Sequence, residues 1–130
     1  QPTMRKLQQS SYTTMWSMHS EEQMLIPMAF KIPTSFWLYG QKIHVTMVPD
    51  LIERENATGQ SLYRRDVVEI QANSTSINRP RSHIEVTFLH ELLHMIFYVM
   101  GEDDMRNNES MIDEMAKLLH QAFITAEGDA

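Results

Sequence analysis

The sequence predicts a single α+β domain, with a small, mostly antiparallel sheet followed by two helices. Three observations carry that prediction. Apolar residues alternate with polar ones through much of the stretch from residue 35 to residue 72, the period of half-buried strands. From Ser82 onward the period changes to about 3.6, that of a helix. At 130 residues, with 42% hydrophobic and 22% charged side chains, the chain has the length and composition of one globular domain that buries its own core. Strands first and helices afterwards are the order of an α+β fold.

Residues 1 to 23 are polar, with Ser10-Ser11-Tyr12-Thr13-Thr14, and suit a loose arm or a short helix. Pro27 and Pro33 punctuate the next ten residues or so. The stretch SFWLYGQKIHVTMVPD is strand material, interrupted at Gly40-Gln41 and closed by Pro49-Asp50. Within it Ile43, Val45 and Met47 alternate with His44, Thr46 and Val48, which places the first three on a buried face. LIEREN suits a helical turn. Two short strands are expected next, Ser61 to Arg64 and Val67 to Ala72, with a turn at Arg65-Asp66. NSTSINRPRS is a loop. A helix is predicted from Ser82 to Met100, stopped by Gly101. A polar connection, EDDMRNN, then leads to a second helix from the N-cap Asn108 to about Ala126.

Composition excludes several classes of function. The chain has no cysteine, so neither disulfides nor thiolate metal sites are available. Its formal charge of −6 argues against a nucleic-acid partner, and Arg64, Arg65, Arg79 and Arg81 near the loops suit solvated surface. Met24 to Phe30, the longest apolar run near the start, is interrupted by Pro27 and is too short for a membrane span. A soluble, intracellular protein without membrane association is the expectation. The eleven methionines are scattered at core-like spacings and suit packing.

The first predicted helix carries the chemistry. Val86, Leu89, Leu93, Ile96 and Met100 form one apolar row, and Phe88, Leu92, Met95 and Val99 another, so this helix should be buried nearly all round. His83, Thr87, His90, Glu91, His94 and Tyr98 share one stripe roughly 100° wide. Burying that stripe without partners would cost several kcal/mol, so it must face a cleft, a network or a metal. His90 and His94 stand one turn apart, close enough for both imidazoles to reach one tetrahedral ion. Glu91 is rotated by about 100° from His90. That offset lets its carboxylate reach water on the ion without being a ligand, the geometry that an H-E-x-x-H segment needs.

A third ligand is required, leaving one position open for water. The extension H-E-x-x-H-x-x-G-x-x-H fails, because Phe97 and Met100 occupy its glycine and last histidine. The remaining source is a carboxylate of the second helix, where Glu109, Asp113 and Glu114 are available. One assignment makes Glu109 the ligand and has Asp113, one turn on, accept the second N–H of a ligand histidine. Another makes Glu114 the ligand, and acids at a helix start also favour the dipole in their own right. His120, nearly three turns beyond Glu109, suits a second site or the surface.

The segments TFLHELLHMIF and NNESMIDEMAKLLHQAF resemble the compact zincin-like metallopeptidases of the gluzincin kind. The second is similar to the ligand-bearing helix of thermolysin-type enzymes, and the layout to small phage and bacterial H-E-x-x-H proteins in the style of the ImmA/IrrE and SprT-like groups. ESMIDEMAK departs from the E-x-E-A-N-type segment of the ImmA/IrrE group. The resemblance implies a zinc-dependent peptidase acting on a peptide or protein through a metal-activated water, with Glu91 as general base. Zinc would be held by His90, His94 and Glu109, with Asp113 in support and Glu114 as the alternative ligand. It also implies an edge strand that pairs with an extended peptide, and an oxyanion-stabilising group, for which Tyr98, Tyr63 and Arg64 are the residues of suitable type. Two other functions fit the same residues. One is a zinc-binding structural or phage–host interaction module with little turnover, and the other is a SprT-like DNA-associated protease.

Overall fold

A computed structural model describes residues 30–129; the expectation for residues 1 to 23 lies outside them. Strand β1 (Ser35–Leu38) and strand β2 (Gln41–Val48) form a hairpin in which Leu38 faces Gln41. Its two-residue turn, Tyr39-Gly40, has φ of 49° and 76°. Two consecutive positive φ values are the mark of a type I′ turn, whose twist matches that of the strands it joins. Helix α1 (Leu51–Glu55) comes next and ends at Asn56 in the left-handed region. Strand β3 (Gly59–Leu62) leads through a 3-10 turn (Tyr63–Arg65) to strand β4 (Val67–Gln71). The sheet order is β1-β2-β4-β3.

The α+β architecture is the predicted one. The sheet is mixed, with two antiparallel ladders, β1 on β2 and β3 on β4, flanking a parallel ladder between β2 and β4. The parallel pair arises because α1 and β3 return the chain so that β4 runs alongside β2, which leaves β3 at the edge. Fully buried Gln71 stabilises this return. Its amide donates to the carbonyls of Pro49 and Ala72 at 2.8 Å, and its oxygen accepts the Ile52 amide N–H at 2.7 Å. Two expectations need correction. Strand β3 starts at Gly59 rather than Ser61, and the residues from Tyr63 to Arg65 curl into the 3-10 turn. In β2 the alternation holds at Ile43 but fails at the end of the strand, where Met47 is exposed and Val48 buried. Val48 adjoins the α1 turn, whose Leu51 is fully buried, so the chain covers the opposite face there.

Helix α2 (Arg81–Met100) ends in a Schellman arrangement. Gly101, at φ 75°, donates to the Tyr98 carbonyl, and Glu102 donates to that of Phe97. The connection expected after it contains a short helix, α3 (Asp103–Arg106). Helix α4 (Glu109–Thr125) begins at Asn108, whose side chain accepts the Met111 amide N–H at 3.1 Å. Ile43, Val68 and Ile70 of the sheet pack with Ile84, Phe88, Leu89, Leu93 and Phe97 of α2 and with Ile112 and Ala116 of α4. Helix α2 thus lies between the sheet and α4, which is why it is apolar on two sides. Among the described residues, no helix is long and apolar enough to cross a membrane.

Candidate metal centre

Three elements meet at one edge of the sheet. Helix α2 presents Thr87, His90, Glu91 and His94, α4 presents Glu109 and Asp113 from its first turns, and the edge strand β3 closes the third side. Together with Asn56, Ala57 and Thr58 before β3, they line an open cleft of about 590 Å³.

The histidine nitrogens converge with one carboxylate. His90 Nε2 lies 3.2 Å from His94 Nε2 and 3.0 Å from Glu109 Oε2, and His94 Nε2 lies 2.9 Å from Glu109 Oε1. Ligand atoms held about 2.0–2.1 Å from a tetrahedral zinc stand about 3.3 Å apart, and the two imidazole nitrogens, each with one Glu109 oxygen beside it, are close to that spacing. The donors, two imidazoles and a carboxylate, are of the type that zinc selects. No other group of three or more potential ligands occurs among the described residues. The structure therefore brings Glu109 to the histidine pair and leaves Glu114 out of the group.

Asp113 lies beside the site without joining it. Its Oδ1 is 3.8 Å from His90 Nδ1, too long for a direct hydrogen bond, and its Oδ2 pairs with Lys117 at 2.9 Å. His94 Nδ1 is buried with no hydrogen-bond partner, so packing rather than a carboxylate orients that ring.

Glu91 is buried at the base of the cleft and held by β3. The Ser61 hydroxyl stands 2.8 Å from Glu91 Oε1 and 3.0 Å from the Glu91 carbonyl. Burial pushes the Glu91 carboxyl above its usual range, and the Ser61 hydrogen bond and the neighbouring histidines oppose that rise. The strand comes this close because residue 59 is glycine. A Cβ there would stand 2.7 Å from Thr87 Cγ2 and 3.1 Å from Glu91 Cγ. Neither Ser61 nor Gly59 stands out from the local sequence, since their roles arise only from the docking of β3 on α2.

Comparison with family models, with curated proteins and with solved structures returned no match. The chemistry of the cleft therefore rests on its own residues.

Of Tyr98, Tyr63 and Arg64, the residues suited by type to stabilise an oxyanion, only Tyr63 lines the cleft. Tyr98, at the end of the polar stripe, is exposed and stacks on Tyr63 with centroids 4.6 Å apart. Arg64 is exposed on the 3-10 turn. Arg106, which the sequence did not single out, lies over both rings, 5.1 Å from the Tyr63 centroid and 5.9 Å from that of Tyr98. Burial pushes the Tyr63 phenol up, Arg106 draws it down, and the charges of Glu91 and Glu109 push it up again. With a net rise from an ordinary value of 10, Tyr63 is a protonated donor at neutral pH. At the other end of α2, His83 is exposed, and its carbonyl accepts the Thr87 hydroxyl. Arg79 donates to Thr87 Oγ1 at 2.7 Å from behind the cleft wall.

His120 departs most from expectation. It is fully buried, as is Glu85 of α2, and its Nε2 lies 2.6 Å from Glu85 Oε1. A surface position is ruled out, and the ring lies outside the metal group.

Proposed function

We propose that this protein is a zincin-like, zinc-dependent peptidase whose metal is held by His90, His94 and Glu109. The observation that carries the reading is the pair of His90 and His94 Nε2 atoms, 3.2 Å apart, each with one Glu109 oxygen at 2.9–3.0 Å, opening on a cleft with Glu91 buried beside it. A zinc bound there would supply a Lewis acid and an acidified water. Glu91, which lies outside the ligand group, would act as the base, taking a proton from the attacking water as its oxygen bonds to the peptide carbonyl carbon and giving it to the nitrogen as the C–N bond breaks. Ser61 holds one Glu91 oxygen and so orients the other. Tyr63 is the donor placed to stabilise the developing oxyanion, with Arg106 bracing its ring. The outer edge of β3, unpaired among the described residues, suits an extended peptide, so the substrate is a peptide or protein.

Two features favour turnover over a structural zinc. Structural sites are closed by four protein ligands, whereas the group here contains three among the described residues, and they face an open cleft. The test is a peptide-library cleavage screen read by mass spectrometry, on the parent and on Glu91→Gln. The parent should cleave in a chelator-sensitive way, and Glu91→Gln should bind zinc like the parent and leave the library intact. Equal cleavage by both would remove Glu91 from its role, and a zinc-loaded parent that cleaves nothing would favour the structural reading.

A further inference from the structure

Helices α2 and α4 are linked by polar contacts at two levels. One is the metal group, and the other is the buried pair of Glu85 and His120. The Glu85 carboxylate receives three donors, His120 Nε2 at 2.6 Å, Arg81 Nε at 2.9 Å and the backbone N–H of Phe30. The Phe30 ring also meets the His120 ring edge-on, with centroids 5.5 Å apart. Neither Glu85 nor His120 touches the cleft.

The spacing along the helices ties the two levels together. Glu85 stands nine residues before His94 on α2, and His120 stands eleven after Glu109 on α4. At 1.5 Å per residue these are separations of about 14 and 16 Å, so one antiparallel register satisfies both levels at once. Between them the contact is apolar, with Leu89, Leu93, Ile112 and Ala116 in the core. Apolar ridges repeat every turn and tolerate a slip of about 5.4 Å. A buried carboxylate that needs one particular imidazole does not.

We propose that the Glu85–His120 bridge sets the register of α4 on α2 and so delivers Glu109 to His90 and His94. Both are positioning residues, remote from the ion. The inference rests on the metal reading for its consequence, but the register itself can be measured without metal.

The test replaces both partners, Glu85→Leu with His120→Leu, so that no charge is left buried alone. The full chain is loaded with cobalt(II), whose visible spectrum reports the ligand set. The double variant should melt near the parent, bind cobalt at least tenfold more weakly and show the spectrum of Glu109→Ala. A parental spectrum and affinity would overturn the proposal. In parallel, spin labels are placed on His83→Cys and Ala122→Cys, both exposed and in a chain free of other cysteines. The label distance should shift or broaden by several ångströms, on the scale of one helical turn, when the bridge is removed. An unchanged, narrow distance would refute the register claim, even if the parent took up no cobalt and the metal reading had failed. Should the double variant not fold, His120→Gln, which keeps an N–H donor, is compared with His120→Leu. Cobalt binding retained by glutamine and lost with leucine supports the bridge, and equal binding overturns it.

Discussion

Acid should destabilise this fold through His120 before it protonates most carboxylates. The ring is fully buried, and burial pulls its pKa from 6.5 down to about 4. Between those values the unfolded chain binds a proton that the folded chain refuses, so stability is lost as pH falls. The contribution is complete above pH 6.5 and declines toward pH 4. Each pH unit across that window removes about 1.4 kcal/mol, so about 3 kcal/mol is lost by pH 4. That is a large share of the roughly 5–15 kcal/mol by which small domains are stable. Glu85 works in the opposite direction, because burial raises its pKa and the folded state takes up its proton early. Comparison with His120→Leu removes the histidine's proton uptake and leaves Glu85 buried without that partner, so any titration left in the variant favours the folded state as pH falls. Urea unfolding of both proteins with a chelator present, from pH 7.5 to 4.5, should give a steep loss for the parent and a flat or rising curve for the variant, the two converging at low pH. Parallel curves, within about 0.5 kcal/mol throughout, would refute the assignment of a neutral, buried His120.

Three further outcomes are expected of the site. Glu109→Ala should weaken zinc binding at least a hundredfold in competition with a chromophoric chelator, and Glu114→Ala should leave it unchanged; the reverse result would move the ligand. Gly59→Ala places a methyl group 2.7 Å from Thr87 Cγ2 and should cost about 1–3 kcal/mol in thermal unfolding. Thr87→Ser removes that methyl contact while keeping the hydroxyl to which Arg79 donates, so it should recover most of the loss, whereas simple additivity would place the strain elsewhere. Ser61→Ala removes a donor from a buried carboxylate and should cost about 1.5–3 kcal/mol. It should also let the Glu91 pKa rise further, moving the acid limb of a pH–rate profile to higher pH; an unmoved limb would show that Ser61 does not control the base.

The parts of the site legible in the sequence are those that a single helix determines. His90, Glu91 and His94 share a helix face by spacing alone, and the apolar rows around them required that face to meet something. The caps at Asn108 and Gly101 were legible for the same local reason, and the break expected at Gly40-Gln41 falls one residue earlier, at Tyr39-Gly40. What stayed hidden depends on which distant segments meet. Glu85 lies in an apolar run away from the polar stripe, and a lone acid there suggests solvent until His120, 35 residues later, is brought against it. Gly59 and Ser61 gain their roles only when β3 docks on α2. Arg106 sits in a connection that looked merely polar, and only its fold over Tyr63 brings it near the cleft.

That division bears on how the cleft would work. The residues that hold Glu91 belong to the strand whose outer edge is unpaired among the described residues, because the sheet order places β3 outermost. Gly59 and Ser61 face α2, while Gln60 points the other way and donates to Glu69 of β4 at 2.6 Å. β3 is therefore tied on one side to its neighbour in the sheet and braced on another against Glu91. On the peptidase reading, a peptide adding to the free edge would bear on the strand that orients Glu91, so docking and orientation of the base share one element. A rigid β3 is then required for the chemistry as well as for the fold. The close approach at Gly59, which leaves no room for a Cβ, holds the strand directly against Thr87 and Glu91.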